Sequence, residues 1–401
     1  MITRRRVIYV HGYDPQGAQG YYGLFASQLK RASTLWRFNA SLGELTIESP
    51  EIASWTIITS GGNWQVRTQY DFVRYEDLLD AELARPLWRQ IGRALHWLFD
   101  DLVSGTAYRI TRANFRFQLH FAATQAGLLV WLALSLGAGW LAGHLLGVRL
   151  DFAPWIAILA GAAVAVGVFL ALRPLAERWF VIRVNNCWPI YRIFGRGVPT
   201  FLDRPIETGA RRLKAAVDAG DADEIVVVGH SGGGVLAPCV VARALELDPD
   251  LGRKRHVVLL TAGSIMPAVA LHPKATRMRA AVRRVAVEPT VRWIDAQARK
   301  DIMNFSKFDP VTGVGVDAGA ERVNPTVWPI RFRDMLSGDA YRKLNGKFFR
   351  MHYQFIMANS LRAPYDYYML TCGPLPILDW VERGNEAVGA FASDGRYLGP
   401  S

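Results

Sequence analysis

Cysteine, acidic residues and clusters of like charge are all scarce in this chain, and each shortage closes off a class of function. The three cysteines, Cys187, Cys239 and Cys372, form no CxxC pair and cannot build a disulfide framework, so a reducing compartment fits. The spacing of Cys and His shows no metal cluster. Asp and Glu number 35 against 47 Lys and Arg, which leaves a formal charge of +12. That excess favours an anionic partner, either nucleic acid or the acidic lipid of a cytoplasmic leaflet. The basic residues are scattered, with no run longer than Arg4-Arg5-Arg6, so lipid is the expected partner and nucleic acid is not. Gly232-Gly233-Gly234 lacks the lysine of a phosphate loop, and no GxGxxG stands there. No cofactor and no metal is expected.

What is present reads as an α/β chain. At 401 residues there is room for two average domains, or for one large α/β domain with an insertion. Val7-Ile8-Tyr9-Val10 is a β-branched run that ends at a glycine, as buried parallel strands do. It follows a basic start, but four apolar residues make a first strand rather than an export signal. Helical spacing follows over 20–36, then strand-like runs at 45–48 and 55–59, then a helical pattern over 75–102 interrupted by Pro86. A helix over 210–219 leads to the strand Glu224–Val228, a helix from about Gly233 to Leu247, the strand Val257–Leu260 and a strand near Val291–Ile294. Strands alternating with helices predict a mostly parallel sheet with helices on both faces.

Between these halves the charges vanish. Arg116 and Arg149 bracket 32 residues without Asp, Glu, Lys or Arg, and Asp151 and Arg173 bracket 21 more. Each stretch meets the length of about 20 apolar residues that a membrane-spanning helix needs. The short link Arg149-Leu150-Asp151 predicts an antiparallel transmembrane hairpin. Gly139, Gly143 and Gly147 on the first helix, and Ala163 and Gly167 on the second, offer small faces for close contact. Trp131, Trp140 and Trp155 lie in or at the ends of the spans, and Phe115, Phe117, Trp179 and Phe180 flank them as an interfacial belt does. His144 inside the first span is expected to hydrogen-bond between helices. Arg109, Arg112 and Arg116 before the hairpin, and Arg173, Arg178 and Arg183 after it, outweigh Arg149 in the turn. The expectation is an integral membrane chain whose remainder faces the cytoplasm. The expected organisation is a first core part over 1–116, the hairpin over 117–172 and a second core part over 173–401.

The chemistry is carried by Gly229-His230-Ser231-Gly232-Gly233, a G-x-S-x-G set directly after a strand and directly before a helix. A sharp strand-to-helix turn pushes the serine into a strained conformation and presents its oxygen at a helix N-terminus, where developing negative charge is favoured. With this motif and setting, both parts of the chain flanking the hairpin resemble the α/β-hydrolase superfamily of serine hydrolases.

The resemblance implies a nucleophile, then an acid, then a histidine in chain order. Among eight histidines, only His256, His272 and His352 follow the elbow; the first two precede any suitable acid, which leaves His352 as the base. Asp295, Asp301 and Asp309 compete for the acid, and Asp301 is favoured because it lies several residues past the strand, as the family's acid does. The oxyanion hole implied is the N–H of Gly232 with that of Tyr13, in a loop ordered by His11. The expected activity is cleavage of a carboxylic ester, lipid or long-chain, through an acyl-enzyme on Ser231. An acyltransferase or thioesterase with the same triad, or a silent scaffold serving as a membrane interaction module, are the alternatives.

Overall fold

A computed structural model describes residues 1–14 and 16–399. Two compact units emerge: residues 1–82, 112–114 and 192–401 form the first, and residues 83–111 with 115–191 form the second. The second unit therefore extends beyond the expected 117–172 on both sides.

The first unit is built on a nine-stranded sheet. Its strands are β1 (Arg4–Val10), β2 (Asn39–Leu42), β3 (Thr46–Ser49), β4 (Ile52–Gly61), β5 (Trp64–Val73), β6 (Glu224–His230), β7 (His256–Ala262), β8 (Val291–Ala298) and β9 (Thr326–Ile330). They lie in the order β2-β4-β5-β1-β6-β7-β8-β9, with β3 paired to β4. Every pairing from β5 to β9 is parallel, and the β2–β3–β4 edge is antiparallel. The strands read from β-branched runs are present, and β8 runs on through Asp295. β5 has no such run: polar Gln65, Arg67, Gln69 and Asp71 alternate with its apolar residues, the period-2 signal of a strand.

β6 is buried at every position, because helices cover both faces of the sheet. Val7, Tyr9, Val226 and Val228 pack with Phe25 and Leu29 of α1 (Gly17–Trp36). On the other face α8 (Asp203–Ala219) meets β1, and α9 (Gly233–Leu247) meets β6. Each fully buried valine contributes roughly 1.5–3 kcal/mol to this core.

The register of β1 on β6 places Arg5 opposite Glu224. The two form an ion pair at 2.8 Å with both side chains buried. Arg5 also donates to the carbonyls of Gly373 and Leu375, and Glu224 accepts the Ile377 N–H. A buried charge pair holds only when its remaining donors and acceptors are satisfied, and here they are.

The second unit contains α3 (Leu87–Val103), α5 (Phe115–His144) and α6 (Pro154–Arg178). The helical pattern before them breaks at Pro86, which caps α3 after α2 (Glu76–Leu83). From Leu145 to Arg149 the end of α5 widens, with the Leu150 N–H donating to the Leu145 carbonyl. α5 with that turn, and α6, are long and apolar enough to cross a membrane, and their most apolar windows are only 22% and 11% buried.

These two helices approach backbone to backbone. A β-carbon at Gly139 would meet the Gly161 carbonyl at 2.5 Å, and one at Gly143 would meet the Ala157 carbonyl at 3.0 Å. The face of α6 in contact is Ala157, Gly161 and Ala165, not the expected Ala163 and Gly167, which are exposed. The offset arises because helix contact selects the face opposite Gly139, and spacing alone does not say which small residues lie there. One aromatic expected in the interfacial belt is a packing residue instead: Phe117 is buried and packs against Trp188. Trp131, expected within the first span, stacks on Phe169 at 4.3 Å. His144 does not bridge the helices; it stacks on Trp140 of its own helix.

We predict that Glu224→Ala lowers unfolding stability by about 3–5 kcal/mol, since it leaves Arg5 buried and unpaired. The double variant Arg5→Met/Glu224→Leu should recover most of the loss. Thermal unfolding of the full chain measures both.

Candidate active site

Ser231 occupies the turn between β6 and α9 with a φ of 59°. For a residue with a β-carbon that conformation costs roughly 1–2 kcal/mol. Glycine stands next in sequence and would relieve the strain, yet serine holds the position. The turn is fastened on several sides. The Ser231 N–H donates to the Ala262 carbonyl at 3.2 Å, and the Ser231 carbonyl accepts from the Gly234 N–H at 3.0 Å. The flanking glycines have separate causes. A β-carbon at Gly229 would lie 2.6 Å from that of Ala237, and one at Gly233 would overlap the Val10 carbonyl of β1. The motif is therefore a packing solution between β1, β6 and α9 as much as a turn.

Beside the serine, the Gly232 N–H has no acceptor among the described residues. Gly12 borders the same place: a β-carbon there would sit 3.1 Å from the Gly232 nitrogen and 3.3 Å from the Ser231 β-carbon. Glycine at 12 thus keeps open the space next to that donor. Tyr13 follows in a turn closed by the Asp14 N–H and the Gly12 carbonyl at 2.8 Å.

His11 orders this loop. Its buried ring stacks on Tyr75 at 4.0 Å and donates from Nδ1 to the Gly12 carbonyl at 2.7 Å, while the Tyr75 hydroxyl donates to the His11 carbonyl. Burial drives the His11 pKa down to about 4, against the pull of nearby Glu76. A neutral, fixed ring suits a loop-ordering part.

His352 lies buried in the helix Phe348–Tyr353, and its Nδ1 donates to Asp301 Oδ2 at 2.7 Å. That bond fixes the tautomer and leaves Nε2 as the acceptor; Nε2 has no partner among the described residues. Asp301 is oriented in turn. Asn304 Nδ2 donates to Asp301 Oδ2 at 3.0 Å, and the Met303 N–H donates to Oδ1 at 2.9 Å.

The other two acids lie elsewhere. Asp295 stays inside the sheet, bonded to Thr261 and Gln297, and burial raises its pKa. Asp309 pairs with Arg322 at 2.7 Å; burial pushes its pKa up, but Arg322 and the N–H groups of Val311 and Thr312 together bring it below the ordinary value. Of the other downstream histidines, His256 begins β7, and His272 bonds Arg196 at 2.9 Å.

Gly263 links serine and histidine. It follows Ala262, which holds the Ser231 N–H, and a β-carbon on it would meet His352 Cε1 at 3.2 Å. The structure thus gathers Ser231, Gly232, Gly12 and the Asp301–His352 pair around one end of β1, β6 and β7. No hydrogen bond joins the Ser231 hydroxyl to His352 among the described residues.

Three supporting residues escaped sequence reasoning. His230 stacks on His352 at 4.9 Å and donates from Nε2 to its carbonyl at 3.2 Å. Burial first, then the neighbouring His352, lowers the His230 pKa to about 3. Asn304 and Gly263 complete the set, and only the Asp301-x-x-Asn304 spacing, typical of a side-chain-capped turn, offered a signal. Compared with family models, with curated proteins and with solved structures, the chain matches none.

His11 and His230 generate a pH prediction. Their folded pKa values, about 4 and about 3, lie below the ordinary 6.5, so the unfolded chain binds more protons in acid. The stability that comes from burying them neutral is complete above pH 6.5 and is lost as pH falls from there towards 4 and 3. Thermal midpoints recorded from pH 8 to pH 4 should decline below 6.5, and His230→Gln should make the decline shallower.

Proposed function

We propose that this chain is a serine hydrolase of the α/β-hydrolase type that cleaves carboxylic esters through an acyl-enzyme on Ser231. The observation that carries the reading is the strained backbone of Ser231 beside the unpaired Gly232 N–H. Strain of this kind persists where the surrounding structure enforces it and function uses it. The Asp301–His352 pair supplies the rest.

In this reading the Ser231 hydroxyl turns towards His352 when substrate binds, as catalytic hydrogen bonds tighten in the complex. Nε2 takes the proton while Oγ bonds to the carbonyl carbon. The resulting oxyanion is held by the Gly232 N–H and by the N–H of Tyr13. Asp301 stabilises the imidazolium without taking its proton. His352 then protonates the leaving alcohol. Water repeats the cycle to release the acid and restore Ser231.

The same reading takes α5 and α6 as a transmembrane hairpin, supported by the apolar side chains that these helices leave exposed, among them Leu134, Trp140, Ile158 and Leu170. A hydrolase tethered in this way meets lipid or other long-chain esters at high local concentration. The arginines at both ends of the hairpin, against Arg149 in its turn, favour the cytoplasmic side for those ends.

A fluorophosphonate probe should label the wild-type chain and fail to label Ser231→Ala; equal labelling would remove Ser231 as the nucleophile. Asp301→Asn should slow ester cleavage by about ten-thousandfold, because the imidazole loses its enforced tautomer. Gly12→Ala, which fills the space beside the Gly232 N–H, should slow it by roughly a hundredfold or more. Alkaline carbonate should leave the chain in the membrane pellet, and its release into the supernatant would rule out the hairpin.

A further inference from the structure

α3 buries two polar side chains and turns four large apolar ones outward, against the pattern of a helix that faces water. The buried pair are Gln90 and Asp101. Gln90 Nε2 donates to the Leu83 and Arg85 carbonyls at 3.0 and 2.7 Å, and Asp101 accepts the indole N–H of Trp188 at 2.9 Å. Trp88, Phe99, Leu102 and Val103 are between 61% and 70% exposed. Trp88 and Phe99 lie about three turns apart and so share one face. Gln90 and Asp101 each follow one of them by two residues, about 200° round the helix.

The level at which α3 meets the hairpin identifies what covers that outward face. Leu87, Ile91 and Leu95 pack into one cluster with Leu128 and Trp131 of α5 and Phe169 and Leu172 of α6. Trp131 and Phe169 are matched across the hairpin, stacked at 4.3 Å with the indole N–H donating to the Phe169 carbonyl at 3.0 Å. Leu172 is the last apolar residue of the run that begins at Pro154, and Arg173 follows it. Between those ends α6 rises about 28 Å, close to the hydrocarbon thickness of a bilayer at about 30 Å. α3 therefore packs where the apolar run stops, at the boundary between acyl chains and headgroups. Arg89, whose guanidinium lies over the Trp88 ring at 5.0 Å, adds the pairing of tryptophan and arginine typical of that zone. The exposed apolar residues run the length of α3, and a helix lying along the boundary places all of them in lipid.

We infer that α3 is a third membrane element, an interfacial helix whose Trp88–Phe99–Leu102 face sinks into the headgroup and upper acyl layer of the leaflet where the hairpin begins and ends. The inference rests on reading α5 and α6 as a transmembrane hairpin and is independent of Ser231.

The test reconstitutes the full chain in vesicles of dioleoyl phosphatidylcholine and photolabels it with an apolar diazirine that partitions into the acyl chains. Adducts are mapped by peptide mass spectrometry. Trp88, Phe99 and Leu102 should be labelled together with lipid-facing hairpin residues such as Leu134 and Ile158. Phe99→Glu sets a charge in the middle of the outward face and should remove most of the label from Trp88 and Leu102 while leaving Leu134 labelled as before. Phe99→Leu should keep the wild-type pattern. Since the Phe99 side chain is exposed, neither variant disturbs packing, and continued labelling of Leu134 verifies that the hairpin is intact. Label on the hairpin alone would overturn the inference and leave the face to water or to a protein, a second copy of the chain included. Label on Trp88 and Leu102 that Phe99→Glu does not reduce would overturn it as well. Label on neither element would remove the hairpin reading, and the inference with it.

Discussion

β1 is the strand on which both the sheet and the site depend. It lies between β5 and β6 and so joins the part of the first unit made before the insertion to the part made after it. The ladder is reinforced near its start, by buried Arg5 against Glu224, and that pair also ties in the backbone from Gly373 to Ile377. The far end of the same strand delivers His11 and Gly12 to the serine and presses the Val10 carbonyl against Gly233. A shift of one residue in the β1–β6 register would unpair the charges at one end and misplace the loop beside Ser231 at the other. Stability and site geometry therefore hang on one register.

The site shows a division of labour among histidines that composition alone cannot convey. His11 and His230 are buried, held neutral and used for shape: one stacks beneath the β1 loop, the other against His352. His352 differs because a carboxylate, rather than a carbonyl, faces its Nδ1. Residue type is the same in all three; the neighbouring acceptor, a carbonyl or a carboxylate, decides what the ring can do.

Much of this was legible in the sequence, for identifiable reasons. The β-branched runs of β1, β6 and β7 are strong local signals, and G-x-S-x-G between a strand and a helix fixes the elbow. The proximity of Asp301 to His352 was reached only through a resemblance in chain order, since nothing local in either segment announces the other. What was missed depends on contacts distant in sequence. β5 has no β-branched run and shows itself only by alternation, and the burial of its Asp71 depends on Arg6 and Arg212 from other elements. The choice of Gly161 over Gly167 as the helix contact follows from how α5 meets α6, and Gly12 gains its meaning from Gly232, 220 residues on. Periodicity reports which face is apolar, not what that face will touch.

The place of the insertion also sets a schedule for biogenesis. Synthesis delivers β1 to β5 first, then α3, α5 and α6, and only afterwards β6, whose pairing with β1 joins Arg5 to a residue 219 positions later. At roughly 5–20 residues per second, the intervening segment takes on the order of ten seconds to emerge. Throughout that interval β1 presents an open, apolar edge of the kind that invites pairing with other chains. The hairpin, whose contacts are local, is free to form in the meantime. The sheet is thus completed late, after the inserted helices have been made, and β1 keeps an open edge until Glu224 arrives.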